Sequence, residues 1–252
     1  MGNVLTIDLG NSALKLARWG KGDPTHLRIS WEANWETVLR AEMQEPGEST
    51  WDCIAISSVA HEEQAERVVE IAREAARVVE FNPAPALRVD CREAHTVGRD
   101  RLYAALGAWS QLGQPAIVLD AGTALTVDAM DVFEGAPRFL GGAIAPGPAL
   151  LAWALGEGAR QLYEVDTEGD VPALGRDTRE ALRSGLHVGF QGAASELVRR
   201  IGQETGLEQA PLWLTGSARA VLANAALFDG REPRQDPWLV HRGLLASLPG
   251  VQ

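Results

Sequence analysis

Two apolar segments of the chain share one pattern of hydrophobic and polar positions. Residues 4–8 and 116–120 each end in an aspartate, Asp8 and Asp120, and each is followed by a spacer, a glycine and small polar residues. A second apolar segment resumes a few residues later in both places. The pattern predicts a buried strand, a tight turn and a second strand at each site. Because the copies lie in different halves of the chain, we expect a duplicated fold.

The remaining periodicity predicts further strands and helices in the same order in both halves. In the first half we expect strands at Leu14–Trp19 and His26–Ser30, a helix at Glu36–Met43, a strand at Cys53–Val59, a helix at His61–Ala76 and a strand at Val78–Phe81. In the second half we expect strands at 116–120, 124–131 and 138–145, helices at 148–155 and 179–201, a strand at 211–215, a helix after Gly216-Ser217 and a terminal helix within 236–245. The chain is therefore predicted to be an α/β protein with two βββαβαβα-type halves, residues 1–112 and 113–252.

The first turn carries residue types that suit a nucleotide's terminal phosphates. A carboxylate at a strand tip can hold a hydrated divalent cation, and Gly10 allows backbone N–H groups to approach an anion. Asn11 and Ser12 add side-chain donors, and Lys15 adds a compact positive charge. The alternative is a plain β-hairpin with Gly10-Asn11 as its turn. Because the pattern occurs twice at equivalent places, phosphate binding is the favoured interpretation.

A second polar group precedes a helix predicted around Leu102 and Trp109. Asp100 and Arg101 fall at the N-terminus of this helix. Capping explains the aspartate, because an acidic residue in a first helical turn is stabilising, but it does not explain the adjacent arginine. An Asp–Arg pair could instead supply a base for a hydroxyl and a fork for a carboxylate. The residues alone leave both interpretations open.

Glycines in the second half indicate places where another group comes close. Gly141-Gly142 would admit either a ligand, such as the base or ribose of a nucleotide, or another backbone. Gly216-Ser217, at a predicted strand-to-helix junction, could also approach a nucleotide. Three glycines in the long helix cost helix propensity, so we expect them to allow close packing against another helix, within the chain or between subunits. These are Gly185, Gly189 and Gly192.

Composition narrows the class of protein and its compartment. The net charge of −11 and isoelectric point near 5.0 disfavour a nucleic-acid-binding surface, which needs a basic patch. Two isolated cysteines, Cys53 and Cys91, favour a reducing cytoplasm, and we find neither a signal peptide nor an apolar segment long enough to span a membrane. The five histidines are scattered along the chain, and no nucleophile–His–Asp arrangement emerges.

Together these motifs resemble those of type III pantothenate kinases. They occur in the family's order, they span nearly the whole chain, and the set is far more specific than any one motif. The motifs are Asp8-Leu-Gly10-Asn11-Ser12 with Lys15, Gly98-Arg-Asp100-Arg101, Asp120-Ala-Gly122-Thr123-Ala124, Gly141-Gly142-Ala-Ile-Ala-Pro146-Gly147, Gly175-Arg-Asp-Thr178 and Asp236-Pro-Trp-Leu-Val-His-Arg-Gly243-Leu244.

The resemblance implies a fold, an activity and an assembly. The fold would be the duplicated actin-like, ribonuclease-H-like fold of the ASKHA superfamily, with ATP in the cleft between the halves. The activity would be ATP-dependent phosphorylation of pantothenate to 4'-phosphopantothenate, the first step of coenzyme A biosynthesis, by a homodimer. Three alternatives stay open: another small-molecule kinase of the superfamily, a phosphatase of the superfamily, and a non-catalytic accessory factor for transcription.

The resemblance also implies roles for individual residues. Those expected to bind the phosphates of ATP are Asp8, Leu9, Gly10, Asn11, Ser12, Ala13, Leu14 and Lys15, with Asp8 also holding Mg²⁺ through water. Gly122 and Thr123 would contact the nucleotide, and Asp120 would help hold a monovalent cation, K⁺ or NH₄⁺. Those expected to bind pantothenate are Gly98, Arg99, Asp100 and Arg101, with Asp100 as the catalytic base, and Thr178 acting across the dimer interface.

The chain departs from the family pattern in two places. Members usually place a tyrosine several residues before the Gly-x-Asp-Arg motif, whereas this chain has Cys91 and then Glu93–Val97. One expected pantothenate contact therefore lacks the residue that usually makes it in the family. Gly216-Ser217 also stands where a double glycine is more usual.

Overall fold

The computed structural model describes residues 3–20, 24–32, 34–44, 50–166, 169 and 171–249. The strands in this part of the chain are β1 (Val4–Leu9), β2 (Ala13–Trp19), β3 (Thr25–Ser30), β4 (Trp51–Ser58), β5 (Ala76–Phe81), β6 (Arg88–Val89), β7 (Ala116–Ala121), β8 (Ala124–Phe133), β9 (Ala136–Pro146), β10 (Leu212–Thr215) and β11 (Arg234–Gln235). The α-helices are α1 (Trp35–Met43), α2 (Glu62–Ala75), α3 (Arg99–Leu112), α4 (Pro148–Gly158), α5 (Thr178–Thr205) and α6 (Leu239–Ala246).

The described residues form two compact units. One contains those within 3–88, 92–113 and 238–249, and the other those within 89–91 and 114–237. The expected second half, residues 113–252, therefore differs from the second unit at its C-terminal end. The difference arises because α6 packs on α3 of the first unit.

The first unit contains a five-stranded sheet in the order β3-β2-β1-β4-β5. Strands β1, β2 and β3 form an antiparallel meander, whereas β4 and β5 run parallel to β1. The parallel pairs follow from helical connections, because a tight turn can join only antiparallel neighbours. In this register Asp8 lies opposite Lys15 on β2 and beside Ser57 on β4.

The two faces of this sheet differ in polarity. Alternate β1 residues Leu5, Ile7 and Leu9 are fully buried in an apolar core that also contains residues of α1 and α2. Successive strand residues point to opposite faces, so Thr6 and Asp8 face the other layer. That layer is formed by α3 and α6, and a hydrogen bond between Thr6 Oγ1 and Nδ1 of His241 on α6 confirms that Thr6 faces it.

Glycines allow α3 and α6 to touch through their backbones. A Cβ on Gly107 of α3 would lie 2.0 Å from the carbonyl oxygen of Leu239, and one on Gly243 of α6 would lie 1.8 Å from that of Tyr103. Neither position accepts any side chain without separating the helices. This contact explains why the C-terminal helix belongs with the first unit.

The second unit repeats the same topology. Its sheet has the order β11-β10-β7-β8-β9-β6, in which β7, β8 and β9 are antiparallel neighbours and β10 and β11 run parallel to β7. Strands β9-β8-β7-β10-β11 therefore match β3-β2-β1-β4-β5 in order and direction, and β6 adds one strand at the β9 edge. The prediction of a duplicated actin-like, ribonuclease-H-like α/β fold is confirmed.

The long helix α5 covers one face of the second sheet. Its buried side chains Phe190, Ala194 and Val198 join the core formed by β7, β8 and β10. The helix is longer than predicted and ends where Gly206 adopts a φ of 72°, a left-handed conformation typical of a helix terminus. None of the helices within the described ranges is both long and apolar enough to cross a bilayer.

Short elements differ from the sequence prediction. The helix expected after Gly216-Ser217 is wrong, because the chain forms two 3₁₀ turns there, Arg219–Leu222 and Ala225–Phe228. The side chain of Asn224 accepts a hydrogen bond from Ala226 N at 3.0 Å and so interrupts any longer helix. The two-residue strands β6 and β11 are too short to leave a hydrophobic period in the sequence.

Candidate active site

The carboxylate of Asp8 is buried at the C-terminal end of β1, and only one of its oxygens has a partner. The side chain of Lys15 lies across the β1–β2 pair, with its Nζ 3.2 Å from Asp8 Oδ2. Asp8 is 3% exposed, and its Oδ1 has no hydrogen-bond partner among the described residues. A buried oxygen of this kind needs a donor or a cation from outside the protein.

The turn after β1 offers main-chain groups and two exposed side chains to a ligand. Gly10 N donates to Ala13 O at 3.0 Å, and the indole of Trp31 donates to Gly10 O at 2.9 Å, so the turn is held from both sides. Asn11 and Ser12 are exposed at its tip. Three of the predicted phosphate-binding residues have buried apolar side chains, so only their backbones could contact a ligand, namely Leu9, Ala13 and Leu14.

Asp100 lies in the same unit, in the first turn of α3, and senses the charge of Asp8. Burial is the main cause that raises the pKa of Asp100, and the negative charge of Asp8 raises this pKa further. A hydrogen bond from Arg101 N to Asp100 Oδ1, at 2.9 Å, and the charges of Arg101 and Lys15 act in the opposite direction. A carboxylate with a raised pKa is a stronger base than an ordinary aspartate.

Gly98 gives the Asp100 carboxylate its space. A Cβ on Gly98 would lie 2.5 Å from Asp100 Oδ1, which is closer than real Cβ contacts allow. The hydrogen bond within the first turn fits the capping interpretation of Asp100, and its proximity to Asp8 fits the catalytic one. Both features are present in one side chain, and half-buried Arg99 and Arg101 flank it.

The described stretch 88–97, which precedes the Gly-x-Asp-Arg motif, contains no tyrosine. Residues Ala94–Thr96 form an exposed 3₁₀ turn, and Cys91 belongs to the second unit, near Gly141. The nearby Tyr103 is fully buried in α3, where its hydroxyl donates to Pro83 O at 2.7 Å. Burial raises the pKa of Tyr103 to about 12, so this phenol stays protonated, and its hydrogen bond holds the segment that follows β5 against α3.

A polar network beneath Asp8 was missed by sequence reasoning. Thr6 Oγ1 accepts a hydrogen bond from the indole of Trp19 at 2.8 Å and lies 2.9 Å from Nδ1 of His241. Burial lowers the pKa of His241 to about 4, so this ring is neutral near pH 7. The histidines looked scattered along the chain, yet the rings of His26 and His241 lie 6.1 Å apart. The one sequence signal was a polar residue, Thr6, two positions before Asp8 within an apolar strand.

In the second unit, main-chain atoms crowd the carboxylate of Asp120. Gly216 has a φ of 90°, and a Cβ on it would lie 2.3 Å from Ala121 O and 2.5 Å from Asp120 Oδ1. Ala121 O also accepts a hydrogen bond from Ala218 N at 2.8 Å. Gly216 is therefore required by its contact with the Asp120 turn.

The other glycine motifs of this unit bring backbones together. Gly147 N donates to Thr123 O at 3.0 Å, and a Cβ on Gly147 would lie 2.1 Å from Gly122 O. Likewise, a Cβ on Gly142 would lie 2.1 Å from Val127 O of the neighbouring strand. The sequence left open whether Gly141-Gly142 admits a ligand or another backbone, and at Gly142 it is the backbone of the neighbouring strand that comes close. The side chain of Thr123 is exposed at the tip of its turn.

Thr178 begins α5 and lines an apolar cavity of about 620 Å³ between α4 and α5. The helix is capped by Asp177, whose side chain accepts a hydrogen bond from Glu180 N at 2.8 Å. Farther along α5, a Cβ at any of its first three glycines would meet no atom within 4 Å. These glycines, Gly185, Gly189 and Gly192, do not serve close helix packing within the described part of this chain.

No group of three or more His, Cys, Asp or Glu side chains in the described ranges could hold a metal ion. A cation at Asp8 would therefore be held by few protein ligands and would keep most of its water. Magnesium commonly binds in this way, because it dehydrates reluctantly and needs only one or two carboxylates. The unpartnered Oδ1 of Asp8 fits such a cation.

Comparison with known proteins gives consistent matches. A sequence model of the type III pantothenate kinase family matches residues 4–200. The type III pantothenate kinase of Thermomicrobium roseum is 33% identical over 239 residues, covering 87% of this chain and 88% of the relative. That of a Parafrankia species is 32% identical over 242 residues, covering 91% and 92%. Among solved structures, the ethanolamine utilization protein EutJ of Carboxydothermus hydrogenoformans has a TM-score of 0.53 at 13% identity, covering 97% of this chain and 89% of that one, which is a likeness of fold alone.

Proposed function

Because the chain belongs to the type III pantothenate kinase family, which phosphorylates pantothenate with ATP in coenzyme A biosynthesis, we propose that the surroundings of Asp8 and Asp100 carry out the phosphoryl transfer. The observation that supports this most strongly is the pairing of two carboxylates in one unit: Asp100 with a raised pKa, and Asp8 with an unpartnered oxygen. The first is suited to take a proton and the second to hold a cation or a donor.

In this proposal Asp100 is the catalytic base. The hydroxyl oxygen of pantothenate forms the new bond to the γ-phosphorus, its proton passes to the Asp100 carboxylate, and ADP leaves. Arg99 and Arg101, which flank the base, would bind the pantothenate carboxylate, and Gly98 keeps the base accessible. A guanidinium suits this role because its planar fork matches a carboxylate.

The first turn would bind the phosphates of ATP. Lys15 supplies a positive charge, the backbone at the tip of the turn supplies N–H donors, and Asn11 and Ser12 supply exposed polar side chains. Asp8 would hold Mg²⁺ through water, and this cation, when bound, would neutralise charge on the phosphates. Phosphoryl transfer depends mainly on such positioning and neutralisation.

The second turn would hold a monovalent cation. Asp120 and the main-chain oxygens packed around Gly216 form a set of hard oxygen atoms, which suits K⁺ or NH₄⁺. The exposed side chain of Thr123, with Gly122 beside it, supports the predicted nucleotide contact at this turn.

We further propose a homodimer formed through α5. Its three open glycines leave backbone accessible, and large apolar side chains are exposed nearby, including Trp153 at 53% and Val188 at 42%. Thr178 lies on this surface and would meet substrate there. Replacing Gly189 by leucine should convert the dimer to a monomer in sedimentation analysis, whereas Glu204→Leu, near the end of the same helix, should not. A wild-type chain that sediments as a monomer would contradict this.

The compartment proposed is the cytoplasm, and no nucleic-acid or membrane partner is proposed. The two cysteines, which form no disulfide among the described residues, and the charge of −11 support these assignments.

One assay tests the proposed function against its alternatives. ADP release is measured with ATP and Mg²⁺ in the presence and absence of pantothenate. We expect release that depends on pantothenate and yields its phosphate ester. Release without pantothenate would indicate a phosphatase, release only with another acceptor would indicate a different kinase, and no release would favour a non-catalytic role.

A further inference from the structure

Unsatisfied buried polar atoms are concentrated in one layer of the first unit. Among the described residues, five buried side-chain nitrogen or oxygen atoms have no hydrogen-bond partner. Three of them lie between the first sheet and its α3/α6 layer: Asp8 Oδ1, Ser57 Oγ and His241 Nε2. Isolated buried polar atoms of this kind are uncommon, so a concentration of them indicates a polar group that the protein itself does not supply.

Ser57 and Asp8 occupy the same row of the sheet. They are direct partners in the parallel β1–β4 pair, at the C-terminal end of both strands. Their neighbours Ile7 and Ile56 point into the apolar core on the opposite face, so both polar side chains face α3 and α6. Neighbouring strands lie only about 4.8 Å apart, which places these side chains close together.

The two side chains nevertheless do not bond to each other. Ser57 is 0% exposed and Asp8 is 3% exposed, so bulk water does not satisfy either atom. Leaving a hydroxyl or carboxylate oxygen unpaired in the interior is unfavourable. A single bound water that donates one hydrogen to each oxygen would give both atoms a partner and would leave its own oxygen free to face a cation.

We propose that Ser57 is a cation-site residue, which together with Asp8 Oδ1 orients a water molecule of a hydrated divalent cation. This inference rests on the proposed function and names a residue of its site. Magnesium keeps several of its waters in protein sites, so groups that orient those waters contribute to binding. The hydroxyl of Ser57 therefore acts through water and does not touch the reacting atoms.

The adjacent serine provides a matched control. Ser58 pairs with Leu9 one row farther along the strands, and its Oγ accepts a hydrogen bond from Ala60 N at 3.3 Å. Its hydroxyl is thus already satisfied within the turn after β4. Alanine at either position removes one oxygen from the chain, but only Ser57→Ala removes an unsatisfied one.

The experiment measures Mn²⁺ binding to the metal-free protein by electron paramagnetic resonance, together with thermal unfolding of the same samples. Ser57→Ala should weaken Mn²⁺ binding about tenfold, at the low end of the effect of groups that support metal ligands. Its thermal midpoint without metal should be equal to or above wild type, because an unsatisfied hydroxyl is gone. Ser58→Ala should keep Mn²⁺ affinity within about twofold and lower the midpoint, since it loses a made hydrogen bond.

The outcomes separate this inference from the proposed function. If Ser57→Ala bound Mn²⁺ with an affinity within twofold of wild type, the role proposed for Ser57 would be overturned. The same holds if Asp8→Asn bound Mn²⁺ as tightly as the wild type does. A lowered midpoint with unchanged affinity would show that the hydroxyl is structural. Pantothenate-dependent ADP release by the wild type is measured in parallel. Its absence would overturn the proposed function, whereas the Mn²⁺ affinities of wild type and Ser57→Ala test the role of Ser57 separately.

Discussion

The two aspartate turns occupy equivalent positions in their sheets but have different surroundings. Asp8 lies opposite Lys15 and beside Ser57, whereas Asp120 lies opposite Thr126 and beside Thr215 in the corresponding register. The pairing of the strands around the aspartate is thus the same in both sheets, but the positive charge opposite the aspartate occurs only in the first. A lysine accompanies the first carboxylate, while the second has a neutral hydroxyl in its place.

Crowding by main-chain atoms distinguishes the turns further. The glycines within the two turns are alike, because a Cβ on Gly10 of the first turn would lie 3.4 Å from Ala13 O and one on Gly122 of the second turn would lie 3.8 Å from Ala124 O. A Cβ on Gly216, next to the second, would lie 2.3 Å from Ala121 O on a backbone with φ of 90°. The comparison teaches that duplication preserved the strand register while the surroundings of each carboxylate diverged: an ion pair with Lys15 in one turn, and close packing against Gly216 in the other.

The largest effect is expected at Asp100, the proposed catalytic base, whose pKa is raised in part by the carboxylate of the first turn, Asp8. Asp100→Asn should lower kcat by about 10³-fold, within the range of general-base catalysis, while ATP still binds. Coupled ADP assays and nucleotide titration measure the two effects. Near-normal turnover would show that Asp100 is not the base.

The same substitution should raise stability at neutral pH. The pKa of Asp100 is raised by burial and by Asp8, so folding favours its protonated form, and ionisation destabilises the fold as pH rises through that pKa. The neutral amide of the variant removes this cost, and each kcal/mol gained would raise the midpoint by about 2–4 °C in a chain of this size. The gain should vanish below the usual pKa of an aspartate, and a gain that persists there would require another cause. When the pH is lowered, wild-type turnover should begin to fall at a pH above the usual aspartate pKa, because the raised pKa of Asp100 causes the proposed base to be protonated there.

The next largest effect tests the rigidity of the second turn. Gly216→Ala should destabilise the protein by about 3 kcal/mol or more, because it combines an unfavourable φ with a backbone clash. Gly10→Ala should cost no more than about 1 kcal/mol, because its neighbour needs to shift only slightly. Urea unfolding gives the loss in the free energy of unfolding for each variant. Equal losses would show that the two positions are equally crowded.

A smaller effect is expected from the charge that only the first turn has. Lys15→Met should reduce kcat/KM for ATP by about 50-fold, since it removes a charge-assisted contact to phosphate and leaves Asp8 without its ion pair. Lys15→Arg should recover part of this loss, because it keeps the charge with a different shape. Steady-state kinetics at varied ATP measures both, and an unchanged KM for ATP would exclude the phosphate role.

The smallest effect concerns the cation at the second turn. Asp120→Ala should increase the K⁺ concentration needed for half-maximal activity by about tenfold, as expected when one charged ligand is lost. Mn²⁺ binding should stay at the wild-type level, because that cation is assigned to Asp8. If Asp120→Ala altered Mn²⁺ binding and not the response to K⁺, the assignments of the two turns would have to be exchanged.

Local patterns in the sequence were sufficient for much of this picture. The doubled Asp-x-Gly turns predicted the repeated sheets, and the strand–turn–strand pattern predicted that Asp8 and Lys15, seven residues apart, belong to two successive strands. Asp100 was predicted at a helix start for similarly local reasons. The roles that the resemblance assigned to these residues stay predictions until the variants above are measured.

Contacts distant in sequence were not predictable in this way. Thr6 and His241 are 235 positions apart, and no periodicity relates a threonine in the first strand to a histidine in the last helix. The packing of Gly107 on Leu239 also depends on two helices meeting, which neither segment reveals alone. Ser57 was missed because a small polar residue in an apolar strand is ambiguous until its register partner is known.

The return of α6 to the first unit has a consequence for biosynthesis. A ribosome completes the first sheet and α3 well over a hundred residues before it makes α6, so in the nascent unit the part of the Thr6 face that α6 covers stays exposed. Such delayed closure slows folding, because it joins segments far apart along the chain. The emerging polypeptide would accordingly benefit from a chaperone that shields this face until the last helix docks.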